Sequence, residues 1–232
     1  MIAWLTHHLP RTSQATWHLP GEHIGGAEMT DAAMAERSPE PVTWFGPKHW
    51  EQALDADRII VTGTDFLTDE AMRALAARKP LVWVHHQQQP SKARQELFAA
   101  AEPFVCMSQA HADLEAAWCD TKAQVCHGWI DVAALTVAAD DNRNGQALWA
   151  ARNHPQKGKI AARIWARERG LQLTEMHDKP RTEVLDAMLA HTWFVFLPKG
   201  FDACPRTLIE AEAAGCTLPP TRTLDGASQA IC

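Results

Sequence analysis

The sequence predicts an α/β protein built from parallel sheets in two successive halves. Short apolar runs of strand length alternate with helix-length stretches along most of the chain, the pattern of parallel strand–helix–strand construction. A polar segment, Asp140-Asp141-Asn142-Arg143-Asn144-Gly145, breaks that alternation and reads as an interdomain linker. Beyond it the alternation restarts at Ala147. The expected organisation is one domain over residues 1–135 and a shorter one over 146–232.

Taken in order, the first half offers strands at Ile2–Thr6, Val42–Phe45, Arg58–Thr62, Leu81–His85, Phe104–Met107 and Gln124–Cys126. The opening segment is too short and too uncharged for a secretory leader, so it reads as the first strand. Helical patterns lie between the strands, at Met29–Glu36, Thr68–Ala77, Ser91–Ala100 and Gln109–Trp118. The second half gives strand Ala147–Ala151, helix Gly158–Arg169, strand Gln172–Met176, helix Arg181–Ala190, strand Trp193–Leu197 and helix Pro205–Ala214. Pro205 suits the start of that last helix and Gly215 its end. After Gly215 only a Pro- and Thr-containing tail is expected.

Composition bounds the partners. With 232 residues, 46% hydrophobic and 22% charged, the chain has the make-up of a globular protein able to bury a core. No apolar run reaches membrane-spanning length. Cys106, Cys119, Cys126, Cys204, Cys216 and Cys232 show neither metal-ligand spacing nor a small disulfide framework, which points to reduced thiols and a cytoplasmic setting. A net charge of −6 provides no global attraction to nucleic acid or anionic membrane, although a local basic groove stays open. Of the ten Trp, those in apolar runs (Trp83, Trp149, Trp193) read as core.

Four constellations carry chemistry. In Pro198–Gly215 a strand runs through a Gly-containing loop into a helix, with Asp202 in the loop and Glu210 eight residues later. A loop at the carboxyl end of a strand, feeding a helix N-terminus, is where open α/β sheets bind ligands and where free N–H groups favour phosphate. Arg206 and Thr207 stand in the first turn of that helix. The structural alternative is that Asp202 caps the helix and Glu210 is a solvated helix residue. Arg152 and Lys157 follow the first strand of the second half and precede a helix, offering an anion a guanidinium fork and a point charge. Gly25-Gly26-Ala27-Glu28 lies at the first strand-to-helix junction, where Gly permits close backbone approach. His85-His86 ends the fourth strand; adjacent residues face opposite sides, and His85 is the favoured one. His7-His8 is a weaker candidate, and no third ligand stands at a spacing that would make a zinc site.

These segments resemble glycosyltransferase family 4, retaining enzymes of the GT-B fold, in which two Rossmann-like domains with parallel sheets flank an interdomain cleft. Asp202 and Glu210 resemble that family's acidic pair, with Asp in place of the usual Glu at the first position. The resemblance implies that Glu210 holds the donor ribose and that Asp202 faces the transferred sugar. It implies that Arg152 and Lys157 clamp the donor diphosphate; Ala151 replaces the family's Gly before the Arg. Gly25 and Gly26 would approach the donor phosphates, Arg206 and Thr207 would join the donor site, and His85 would lie near sugar and acceptor. Val105–His111 and Val125–Asp131 are smaller echoes, the latter with His127 where the family has Asn. Read without the resemblance, Ser108 is an N-cap and Gly128 a turn.

The function so implied is transfer of a hexose from a nucleotide-sugar such as UDP-glucose to an acceptor hydroxyl, with retention. His85, Asp202, Arg152 and Lys157 would act catalytically, and neither cofactor nor metal would be needed. The acceptor implied is a glycan or glycolipid; hydroxymethylated DNA is the alternative. The chain is shorter than family members, which reads as a minimal enzyme or, alternatively, as a non-catalytic nucleotide-sugar-binding module.

Overall fold

A computed structural model describes residues 1–6, 26–127, 143–200, 202 and 205–220. Gly25, His7, His8, Gly128, Asp131 and Cys204 lie outside these described residues, as does the start of the linker. The chain divides into two compact units, one for each of two separate parallel sheets.

The first sheet holds β1 (Ile2–Leu5), β2 (Val42–Phe45), β3 (Arg58–Val61), β4 (Leu81–Val84), β5 (Phe104–Cys106) and β6 (Gln124–Val125), in the order β2-β1-β3-β4-β5-β6. Strand β1 is an interior strand next to the edge strand β2, pairing Ile2 with Val42 on one side and with Arg58 on the other, and its four residues are buried. Its crossovers are helices α1 (Gly26–Glu36), α2 (Trp50–Ala53), α3 (Asp69–Ala76), α4 (Lys92–Ala100) and α5 (Gln109–Cys119). Three of them start as their sequences dictate. Thr68, Ser91 and Ser108 accept from the N–H groups of Ala71, Arg94 and His111 respectively, each at 3.2 Å. Such caps satisfy one of the orphan donors of a first turn. Leu5, Val61, Leu75, Val84, Leu97 and Phe98 form the core, with the rings of Phe98 and Phe104 stacked at 4.3 Å.

The second sheet has the order β8-β7-β9, from β7 (Ala147–Ala151), β8 (Leu173–His177) and β9 (Trp193–Phe194). Alternation along β7 divides the core between its two faces, as period-two geometry requires. Ala147 and Trp149 pack with Trp165 of α6 (Lys159–Glu168), whereas Leu148 and Ala150 pack with Met188 of α7 (Arg181–Ala190) and Leu208 of α8 (Arg206–Ala213). Arg143 fastens this second core from the linker side, donating from Nη1 to the carbonyls of Met188 at 2.9 Å and His191 at 2.5 Å.

Several boundaries differ from expectation. Helix α1 begins at Gly26 rather than Met29, and α2 is an unforeseen single turn. The last strand ends at Phe194 rather than Leu197. Val195 N–H still bonds Leu148 O at 2.8 Å, but beyond it the backbone turns toward the loop before α6. The segment after Gly215 is more than a tail: Thr217 forms a parallel bridge with Trp193, adding a fourth backbone position beside β9.

Candidate functional site

In the second sheet the direction of winding reverses at β7, so the carboxyl ends of β7 and β9 mark the switch point where open α/β sheets take ligands. Two loops meet there because Gly158 lets them. Its φ is +74°, and a β-carbon would stand 1.8 Å from the carbonyl oxygen and 2.3 Å from the carbonyl carbon of Leu197. Lys199 N–H donates to Gln156 O at 2.8 Å, and buried Trp149 donates from Nε1 to Lys157 O at 3.0 Å. The loop after β7 is thereby locked onto the chain leaving β9. The result is an ion pair in which Lys157 Nζ lies 2.7 Å from Asp202 Oδ2 and 5.7 Å from the centre of the Phe196 ring. Arg152 stands exposed at the head of the same loop.

Helix α8 builds the neighbouring part. Its N-cap is Pro205, with no side-chain cap bond, and its first turn carries Arg206 and Thr207. Asp202 is therefore not the helix cap; its carboxylate is turned to Lys157 instead. Nor is Glu210 solvated, since its side chain is only 5% exposed. Glu210 Oε1 accepts from Arg181 Nε at 3.0 Å, and Arg206 Nη2 lies 3.9 Å from the same oxygen. Burial lowers the Arg206 pKa, Glu210 acts to raise it, and Arg181 adds to the lowering. Two carboxylates and four cationic residues thus gather at this edge, the pattern expected for a ligand bearing both phosphate and hydroxyl groups.

The first sheet reverses between β1 and β3, and its switch point holds a different, buried cluster. Asp31, on α1, accepts from the hydroxyls of Thr6 at 3.1 Å and Thr62 at 2.8 Å through Oδ2. Its Oδ1 lies 2.9 Å from Nε2 of His85, which directly follows β4. The His85 side chain is 5% exposed and that of Asp31 only 2%. His86 points elsewhere, exposed and paired with Asp65. Burial acts to raise the Asp65 pKa, but the hydrogen bond and charge of His86, with the charge of Arg94, hold it below the ordinary carboxylate value.

Among the sequence candidates, Lys157 pairs with Asp202 and Arg206 lies beside Glu210, each pair on segments that follow strands of the second sheet, and Arg152 heads the loop after β7. Gly26 opens α1. His127 Nδ1 meets the Met107 carbonyl at 2.6 Å, a bond between neighbouring strand ends. Three residues were not foreseen from the sequence: Asp31, Arg181 and the close contact of Gly158. Asp31 carried no local signal in the sequence; it is buried in α1 between Thr30 and Ala32, and its partners come from distant segments. No group of three or more His, Cys, Asp or Glu among the described residues could hold a metal ion. No helix among them is long and apolar enough to cross a membrane.

Neither a protein-family model nor a curated protein sequence matches the chain. Solved structures do resemble it. HepE from Anabaena, in complex with UDP and glucose, superposes with a TM-score of 0.58 at 14% identity, over 94% of this chain and 79% of that one. The lipopolysaccharide outer core galactosyltransferase WaaB gives 0.57 at 13% identity, with the same coverage. An alpha-glucosyltransferase in complex with UDP and a 13-mer DNA containing a HMU base gives 0.53 at 12%, over 94% of this chain and 78% of that one. The chain has the α/β fold of GT-B glycosyltransferases, with parallel sheets.

Proposed function

We propose that the protein is a retaining glycosyltransferase that moves a hexose from a UDP-sugar to an acceptor hydroxyl. The observation that carries this reading is a pair of cation–carboxylate contacts, Lys157 with Asp202 and Arg206 with Glu210, on segments leaving the carboxyl ends of strands in the second sheet. Arg152 and Lys157 take the diphosphate and stabilise the charge that develops on it as the glycosidic bond breaks, the kind of electrostatic term that dominates many enzymes. Glu210, its Oε1 engaged by Arg181, offers Oε2 to the ribose hydroxyls. Asp202 receives the sugar hydroxyls once the diphosphate has drawn Lys157 away. The cations supply the charge a metal would otherwise provide, so no metal or cofactor is invoked. The free thiols of the described cysteines fit a cytoplasmic setting.

The acceptor we favour is a glycan or glycolipid. Hydroxymethylated DNA is the second reading, motivated by the likeness to the DNA-bound alpha-glucosyltransferase. Against it stand the net charge of −6 and the pairing of Arg163, on the basic helix α6, with Glu175. A screen of nucleotide sugars for slow donor hydrolysis tests the function without knowledge of the acceptor, and the anomeric form of the released sugar reports retention. Release of hexose from a UDP-sugar is expected. Binding without turnover of any donor would make the protein a nucleotide-sugar-binding module, and salt-sensitive binding of hydroxymethylated duplex would favour the DNA reading.

A further inference from the structure

We propose that Asp31 is a positioning residue that fixes the tautomer of His85, leaving Nδ1 of that imidazole as the acceptor for a substrate hydroxyl. This rests on the reading of the protein as a glycosyltransferase. The hydrogen bonds of the cluster run in one direction. Trp4 Nε1 can only donate, and it approaches Thr62 Oγ1 at 3.4 Å. With its oxygen so engaged, Thr62 turns its own proton to Asp31 Oδ2, where Thr6 also donates. Oδ1 is left to face His85 Nε2 at 2.9 Å. A carboxylate that already accepts twice accepts here too, so the imidazole proton sits on Nε2. In the neutral ring, the state proposed here, the lone pair is then on Nδ1.

That nitrogen is buried and has no hydrogen-bond partner among the described residues. A buried polar atom without a partner is costly, and a fold that spends four side chains fixing one ring is not explained by stability alone. The ring lies at the carboxyl end of β4, beside the switch point of the first sheet, where ligands are bound in such sheets. Trp83 packs against it at 4.9 Å between ring centres, which limits the ring's freedom to reorient. A hydroxyl of the acceptor satisfies Nδ1 as donor.

Asp31→Asn tests the assignment. Thr62, still receiving from Trp4, holds the Asn carbonyl, so the amide NH2 faces His85. Nε2 must then accept, and the proton moves to Nδ1; loss of geometry is not required for loss of function when a tautomer is reversed. The tautomer is read by nitrogen-15 NMR of labelled His85 in the free wild type and in the variant. The expected result is a proton on Nε2 in the wild type and on Nδ1 in Asp31→Asn. Transfer is then about ten- to a hundredfold slower, with UDP affinity unchanged, the size of effect expected for one lost substrate hydrogen bond. A wild-type proton on Nδ1, or a reversed tautomer with undiminished transfer, would overturn the proposal. Should Asp31→Asn not fold, a wild-type proton on Nδ1 still overturns the proposal, and Thr62→Ser against Thr62→Val tests donation to Oδ2: only Ser should keep wild-type transfer, and equal transfer in both would overturn it. A wild type that binds no nucleotide sugar fails the functional reading by a separate measurement.

Discussion

Lys157 and Asp202 stand 45 residues apart in the chain, yet their side chains meet at 2.7 Å at the carboxyl edge of the second sheet. Both are partly exposed, so the pair contributes little to stability, about 0–1 kcal/mol at most for a surface ion pair. Its significance is competitive. A diphosphate carries more charge than one carboxylate and can claim the ammonium, which releases Asp202 to a neighbouring group.

That competition predicts a selective loss. Replacing both Arg152 and Lys157 with Ala should weaken UDP binding by roughly 1.5–3 kcal/mol for each desolvated contact, while uridine binding changes little. Calorimetric titration of the double variant with UDP and with uridine measures the difference. Equal weakening of both ligands would remove the diphosphate assignment.

Gly158→Ala should destabilise the second unit strongly. The methyl group would meet the Leu197 carbonyl at 1.8 Å and the Pro198 nitrogen at 2.9 Å, both backbone atoms that have no side-chain freedom to yield. The φ of +74° adds a left-handed strain of about 1–2 kcal/mol for any residue with a β-carbon. A total of about 3 kcal/mol or more is expected by urea denaturation. Gly145→Ala is the control, because nothing lies within 4 Å of its added methyl; it should show the left-handed strain alone.

The cysteines give a reactivity and pH prediction. Burial raises the thiol pKa of Cys106, Cys119 and Cys216, whereas Cys126 is only half-buried. Thiolate is the reactive form, so iodoacetamide at mild alkaline pH should modify Cys126 before these three, which react only after unfolding. The linkage has a definite sign. Above about pH 8.5 the unfolded chain releases thiol protons that the folded chain retains, so stability falls as pH rises further. Mass-mapped labelling and a denaturation series from pH 7 to 10 check the two parts.

Much of this architecture was legible in the sequence because parallel strands buried on both faces are continuous apolar runs, and β1 and β7 are such runs. Helix starts at Thr68, Ser91 and Ser108 were equally readable, since one side-chain oxygen explains each. The acidic pair and the Arg152–Lys157 pair were visible as motifs. What they touch was not, because Lys157 meets Asp202 only through the folding of two loops around Gly158. Asp31 was hidden for a similar reason: its partners Thr6, Thr62 and His85 come from three other segments. Arg181 has no local pattern at all, since it opens α7 as an ordinary exposed-looking residue and reaches Glu210 across 29 positions.

Asp202→Asn separates a sugar-facing role from a purely electrostatic one. The amide keeps one acceptor oxygen but turns the other into a donor, and it removes the negative charge beside Lys157. Freed of its partner, Lys157 should bind the diphosphate at least as well as before, so UDP affinity is expected to stay level or rise slightly. Transfer should nevertheless fall, because the oxygen that accepts from a sugar hydroxyl has been lost; one such charge-assisted bond corresponds to about 1.5–3 kcal/mol, or roughly ten- to a hundredfold in rate. The structure rules out helix capping as a competing explanation, since Pro205 holds the N-cap position. Titration with UDP and turnover of the sugar nucleotide, measured on the same preparation, give the two numbers. Unchanged turnover with tighter UDP binding would reduce Asp202 to a counter-ion for Lys157 and leave the sugar without its proposed carboxylate.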